Sequence, residues 1–153
     1  MNALYIDTEF NGFGGSLITL ALANPTKTGK DFYGRLPDPP KWDKWVAENV
    51  VPNLDIEPES PVMFRHRLRI YLQARQPVAI YADYPGDFWH LTNQMLGPSF
   101  DEYWSVDCAF VMLNHSDPKP VVAHNALSDA IALMEWHKLA LDRGEYRSGV
   151  VTF

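Results

Sequence analysis

Between two stretches of helical spacing lies Val78-Ala-Ile-Tyr-Ala82, five residues without a charged or amide side chain. A strand that alternates apolar and polar residues can leave one face in water. A strand apolar at nearly every position must be covered on both faces. That is the requirement of a parallel strand inside an α/β sheet, and it restricts the chain to a layered fold with helices packed on a sheet. The flanks agree. Residues 61–75 carry Phe64, Leu68, Tyr71 and Leu72 at helical spacing, and Pro61 suits a first helical turn. Gln76-Pro77 ends that run, and residues 85–96 read as a further helix closed near Gly97-Pro98.

The rest of the chain fits around this strand. Residues 4–10 read as a strand, Gly12, Gly14 and Gly15 as a turn, 16–23 as a second strand and 31–36 as a third, so the chain opens as an antiparallel meander. A proline-rich turn at 37–40 leads to a short helix over 42–50, then to a loop through Pro52, Pro58 and Pro61. The long proline-rich stretch 37–61 either shapes an entrance or only connects. Residues 101–113 have no single reading, and 121–123 are expected to form a short strand. The spacing over 125–143, stopped by Gly144, predicts the longest helix. The expected architecture is one α/β domain over residues 1–153, a mixed sheet (antiparallel meander plus parallel strands) flanked by helices. Apolar residues make up 46% of the chain, enough for a core of that kind.

The opening MNALYIDTEF has no basic region of the sort a signal peptide begins with, and no apolar run approaches the roughly 18 residues of a membrane span. Cys108 is the one cysteine, so no internal disulfide can form; it is expected to be a small buried apolar residue. A cytoplasmic setting without membrane contact is the expectation. The net charge of −6 counts against gripping long nucleic acid by phosphate neutralisation. It leaves room for a protein that holds only a strand end, where bound divalent cations supply positive charge.

Three places carry acids in unusual settings. Asp7 and Glu9 stand at i and i+2 of the first strand, so both point to one face of an otherwise apolar segment. Two like charges at that distance repel unless a cation lies between them; the plainer role is a solvent-facing strand edge. Asp129 lies in the first turn of the last helix, in line with Leu133, Trp136 and Ala140, and His124 stands in the loop before it, with Asn125 as N-cap. Here the plainer role is dipole compensation and capping. The buried strand runs into Asp83-Tyr-Pro-Gly-Asp87, at the carboxyl end of a parallel strand where α/β sites form. Asp87 could equally cap the following helix, and Asp83 competes with it.

In order and context, Asp7-Thr-Glu9-Phe10, an acid after the buried strand, and His124-x4-Asp129 resemble the DEDDh 3'-5' exonuclease family, most closely its small RNase T-like exoribonucleases. The resemblance spans about residues 4–143 but is confined to the motif segments. It departs in the middle motif, where the family has Asn-Ala-x-x-Asp and this chain has Ala82-Asp-Tyr-Pro-Gly-Asp87. Asp87 is favoured because Asp87 to Leu91 fits the family's Asp-x-x-x-Leu; Asp83 stays open. The resemblance implies an RNase H-like fold and two divalent ions, Mg²⁺ or Mn²⁺, held by Asp7, Glu9, Asp87 and Asp129. Oxygen-only ligands agree with those metals. It further implies His124 as general base on the attacking water, and release of nucleoside 5'-monophosphates from single-stranded 3' ends, RNA favoured.

Substrate contacts are expected from Phe10 and Phe13, which could stack on bases, and from Arg65, Arg67 and Arg69, which could meet phosphates, across a homodimer if the RNase T likeness extends that far. The plainer roles are core packing and a solvated helix face. Trp42, Trp45, Trp89, Trp104 and Trp136 read as core or edge anchors. Two alternatives remain at this point: a DNA 3'-5' exonuclease of the same fold, and a catalytically silent nuclease-like binding module.

Overall fold

A computed structural model describes residues 1–26, 29–99, 102–114 and 116–145. Five strands, β1 (Asn2–Phe10), β2 (Leu17–Ala23), β3 (Phe32–Arg35), β4 (Val78–Ala82) and β5 (Cys108–Met112), form one sheet in the order β3-β2-β1-β4-β5. β1, β2 and β3 are antiparallel neighbours, whereas β4 runs parallel to β1 and β5 parallel to β4. Among the described residues four α-helices accompany them: α1 (Lys44–Asn49), α2 (Pro61–Gln73), α3 (Pro85–Leu96) and α4 (Ala126–Asp142). The chain is thus α/β with a five-stranded mixed sheet flanked by helices. No described helix is long and apolar enough to cross a membrane.

β1 is central, with a partner on each edge, and its alternation sorts the two layers. Leu4 and Ile6 join Phe64, Leu68 and Leu72 of α2 and Leu91 of α3 in one core. Each such fully buried side chain contributes roughly 1.5–3 kcal/mol of burial. Gly34 of β3 lets α2 approach, since a Cβ there would stand 2.7 Å from the Phe64 ring. On the opposite face Tyr5 packs with Ala21 and Ala23 of β2 and with Ala126, Ala130 and Leu133 of α4. Alanines on both surfaces let α4 sit close to the sheet. That closeness brings the start of α4 over the end of β1, and Tyr5 Oη lies 2.9 Å from His137 Nδ1 as a second tie.

One expected strand is absent. Residues 121–123 are irregular, and the fifth strand comes from the ambiguous stretch before them, at Cys108–Met112. The physical reason is burial: Val121 is 97% exposed and has no sheet to pack on. Cys108 and Val111 instead register against Val78 and Tyr81 of β4. Cys108 is only partly covered.

The stretch 37–61 does more than connect. Val46 of α1 and Val50, its C-cap, bury against Ile18 of β2, which anchors α1 at one end of the sheet. Ile18 can serve this role because β2 bulges there: Glu9 pairs with Thr19 but Phe10 with Leu17. Bulges re-aim side chains in this way, commonly beside functional sites.

Candidate active site

Asp7, Glu9, Asp83, Asp87 and Asp129 line one cleft of about 290 Å³ together with Thr8, Tyr84, Pro118, His124 and Leu133. The cleft lies at the carboxyl ends of β1 and β4, between the starts of α3 and α4. Strand alternation places Asp7 and Glu9 on the α4 side. There Asp7, Glu9 and Asp129 each offer an oxygen within 4.8 Å of the others, a group able to hold a metal ion.

Asp129 sits in the first turn of α4. Asn125 caps the helix through its Oδ1, which accepts from Ser128 N at 3.1 Å, and Asp129 Oδ2 accepts from Asn125 N at 3.0 Å. The capping role and the cleft role therefore coexist. Asp87 is different. The N-cap of α3 is Tyr84, and Asp87 does not cap it. Its Oδ1 instead reaches back to β1, accepting from Thr8 N at 3.1 Å and Thr8 Oγ1 at 2.7 Å. Its Oδ2 is buried without a hydrogen-bond partner. Asp83 also faces the cleft, and its Oδ2 accepts from Ser116 Oγ at 2.7 Å. Both middle-segment acids are brought to the site.

Crowding and burial hold protons on these groups. Asp7 is pushed well above the usual carboxylate range, first by burial, then by the charges of Asp87, Glu9, Asp129 and Asp83. Glu9 is raised to about 8 by burial, Asp129 and Asp87. Asp87 is raised to about 7 by burial, held back by its hydrogen bonds from Thr8. Asp129 is raised by burial and held back by the Asn125 N–H and by His124. A divalent cation would relieve all four at once. The donor set is carboxylate oxygen, which suits Mg²⁺ or Mn²⁺ better than zinc.

His124 has a left-handed backbone, φ 59°, at a cost of roughly 1 kcal/mol or more for a residue with a Cβ. The surroundings hold it there. Asn125 Nδ2 donates to Asn53 O and Asp55 Oδ1, both at 3.0 Å, and Asn53 Nδ2 donates to Ala123 O at 3.1 Å. The ring of Trp45 meets that of His124 edge-on at 5.0 Å. The sequence carried no signal for Trp45, Asn53 or Asp55, because their approach depends on where α1 docks.

The expected substrate residues divide. Phe10 is half-buried and stacks on Tyr84 and on His90, with centroids 6.1 and 4.9 Å away. Phe13 is 96% exposed on the turn after β1, not in the core. None of Arg65, Arg67 and Arg69 lines the cleft. Arg65 is bound to Glu102 and Gln94 O, Arg67 pairs with Glu59 and lies over the Phe32 ring, and Arg69 donates to Gln73 Oε1. Two of these three guanidiniums are thus engaged by carboxylates of the chain itself. Among the tryptophans, Trp104 is buried, whereas Trp45 and Trp89 are about half exposed.

Compared with models of protein families and with curated proteins, the chain matches none.

Proposed function

We propose that this chain is a metal-dependent 3'-5' exonuclease of the DEDDh type, with an RNase H-like fold, acting on single-stranded 3' ends with RNA preferred. The observation that carries this reading is the acid cluster. Five carboxylates and one imidazole line a single cleft, and three of the acids present oxygens within 4.8 Å of one another. Stability alone does not favour such a cluster, since each buried acid raises the cost of ionising the next. Asp87 Oδ2, buried and without a partner, adds an unfilled acceptor.

Asp7, Glu9, Asp87 and Asp129 would hold two divalent ions, with Asp83 the alternative to Asp87. Bound ions supply an activated water and neutralise charge on the phosphate and the leaving 3'-oxygen. His124, on its loop beside Asp129, would take the proton from the attacking water. Without cations the clustered carboxylates would repel a phosphate, so binding would require the ions first.

The test is digestion of oligonucleotides labelled at the 3' or the 5' end, as RNA and as DNA, with Mg²⁺, with Mn²⁺ and with EDTA. A metal-dependent ladder that shortens from the 3' end supports the reading and gives the sugar preference. Folded protein that cleaves nothing under either metal overturns it in favour of a silent binding module.

A further inference from the structure

The loop 121–124 borders two cavities. His124 lines the acidic cleft, whereas Val121, Val122 and Asn125 line a second cavity of about 480 Å³ together with Asn53 and Asp55. None of residues 121–124 is buried, and Val121 is 97% exposed. A segment without buried apolar contacts opens locally at little cost unless hydrogen bonds hold it. The left-handed backbone of His124 adds to that tendency, because release would let it relax.

The hydrogen bonds converge on Asn125, which is 6% exposed. Its backbone N–H donates to Asp129 Oδ2, and its Oδ1 accepts from Ser128 N. Both of those partners belong to α4 and travel with it. Its Nδ2 reaches outside α4, to Asn53 O and to Asp55 Oδ1, each at 3.0 Å. Asp55 is aimed in turn by β3: the same Oδ1 accepts from Tyr33 Oη at 2.9 Å. Burial first, and then Asp55, pushes the Tyr33 hydroxyl above its ordinary value, so it stays a donor. One carboxylate oxygen thus ties the loop before α4 to β3, and a bond to an ionised acceptor is the stronger kind.

We propose that Asp55 is a positioning residue for the general base, holding the His124 loop in place through Asn125. The inference rests on the nuclease reading above and adds to it a residue that does not line the acidic cleft. Asp55 touches neither strand nor metal. Its effect is on how much of the time His124 stands where a water can be deprotonated, and small misplacements of that kind lower turnover.

The experiment measures kcat and KM with Mn²⁺ on RNA and DNA single strands of one sequence. Wild type, Asp55→Ala, Asp55→Asn, His124→Ala and the double variant Asp55→Ala/His124→Ala are compared. Titration calorimetry gives Mn²⁺ affinity, and hydrogen exchange follows the amides of 121–125. Asp55→Ala should lower kcat about 3–10-fold, the worth of one hydrogen bond, with KM and Mn²⁺ affinity unchanged and faster exchange in the loop. Asp55→Asn keeps an acceptor oxygen and should restore kcat. In the His124→Ala background the loss of Asp55 should cost nothing further, because the residue it acts through is gone. A wild-type kcat in Asp55→Ala, an equal loss with and without His124, or a fall in Mn²⁺ affinity overturns the positioning role while the nuclease reading stands. Folded wild type that cleaves neither strand overturns both.

Discussion

Two helices bring an acid to the cleft, and they hold it in different ways. α4 fixes Asp129 by its own cap: Ser128 N donates to Asn125 Oδ1, Asn125 N donates to Asp129 Oδ2, and the acid is half-buried. α3 fixes Asp87 by a foreign element. Its carboxylate is 1% exposed and bound to Thr8 of β1, 79 positions away in sequence, with one oxygen left unpartnered. The first arrangement stabilises the helix that carries it. The second places a charge where metal-free protein gains nothing from it. A site acid can therefore be structurally useful or structurally costly within one cleft.

That contrast can be broken most directly by removing each acid. Asp129→Ala and Asp87→Asn should both nearly abolish metal-dependent hydrolysis, which the labelled digest would read. Their thermal stabilities without metal should diverge. Asp129→Ala loses an acceptor for a helix-start N–H and should cost about 1 kcal/mol. Asp87→Asn removes a buried charge and should raise Tm at pH 8. Shifts of the same sign in both variants would remove the distinction.

His124→Ala comes next, with a fall in kcat of about 10²–10⁴-fold, the usual range for a general base. Full activity would remove that role and leave the strained loop as a structural feature only.

Thr8→Val sharpens the comparison from the α3 side. It deletes the hydroxyl that donates to Asp87 and should weaken Mn²⁺ binding about 10–100-fold by titration calorimetry, as loss of an outer partner does. A change of Asn125 would instead disturb α4 and its loop. An unaltered Mn²⁺ affinity in Thr8→Val would mean that the backbone N–H of residue 8 and packing suffice to place Asp87.

The smallest effect is the pH dependence of metal-free stability. Folded Asp87 and Glu9 keep protons to about pH 7 and about pH 8, where unfolded carboxylates lose them near pH 4. The folded state binds more protons across that window, so stability falls as pH rises through it. Tm in EDTA should drop by several degrees between about pH 4.5 and pH 8.5. Added Mn²⁺ should recover most of the loss at the upper end, because ions bind the deprotonated acids. A Tm in EDTA that rises over this range would show that the acids are not mutually crowded.

Much of the frame was legible in local pattern. The apolar run 78–82, the period-two placement of Asp7 and Glu9, and the helix behind Asn125 all appear where the spacing predicts them. The miss at 121–123 is equally physical. A short apolar triplet has strand character only if an edge is vacant, and β5 had already taken the edge of β4. The basic run at 65–69 shows a related effect. A sequence displays charges but not the carboxylates of Glu59 and Glu102 that occupy two of them.

The sequence by itself determined which residues share a strand face or a helix turn, because those periodicities are set by neighbours along the chain. It placed the acids in three segments and gave each a direction. Tertiary structure alone decided that the three segments meet, that Thr8 holds Asp87, that Asp55 holds Asn125 and that Trp45 lies against His124. Those contacts depend on strand order and on how closely alanine-lined surfaces let α4 approach β1, and both are settled only when distant segments compete for the same sheet.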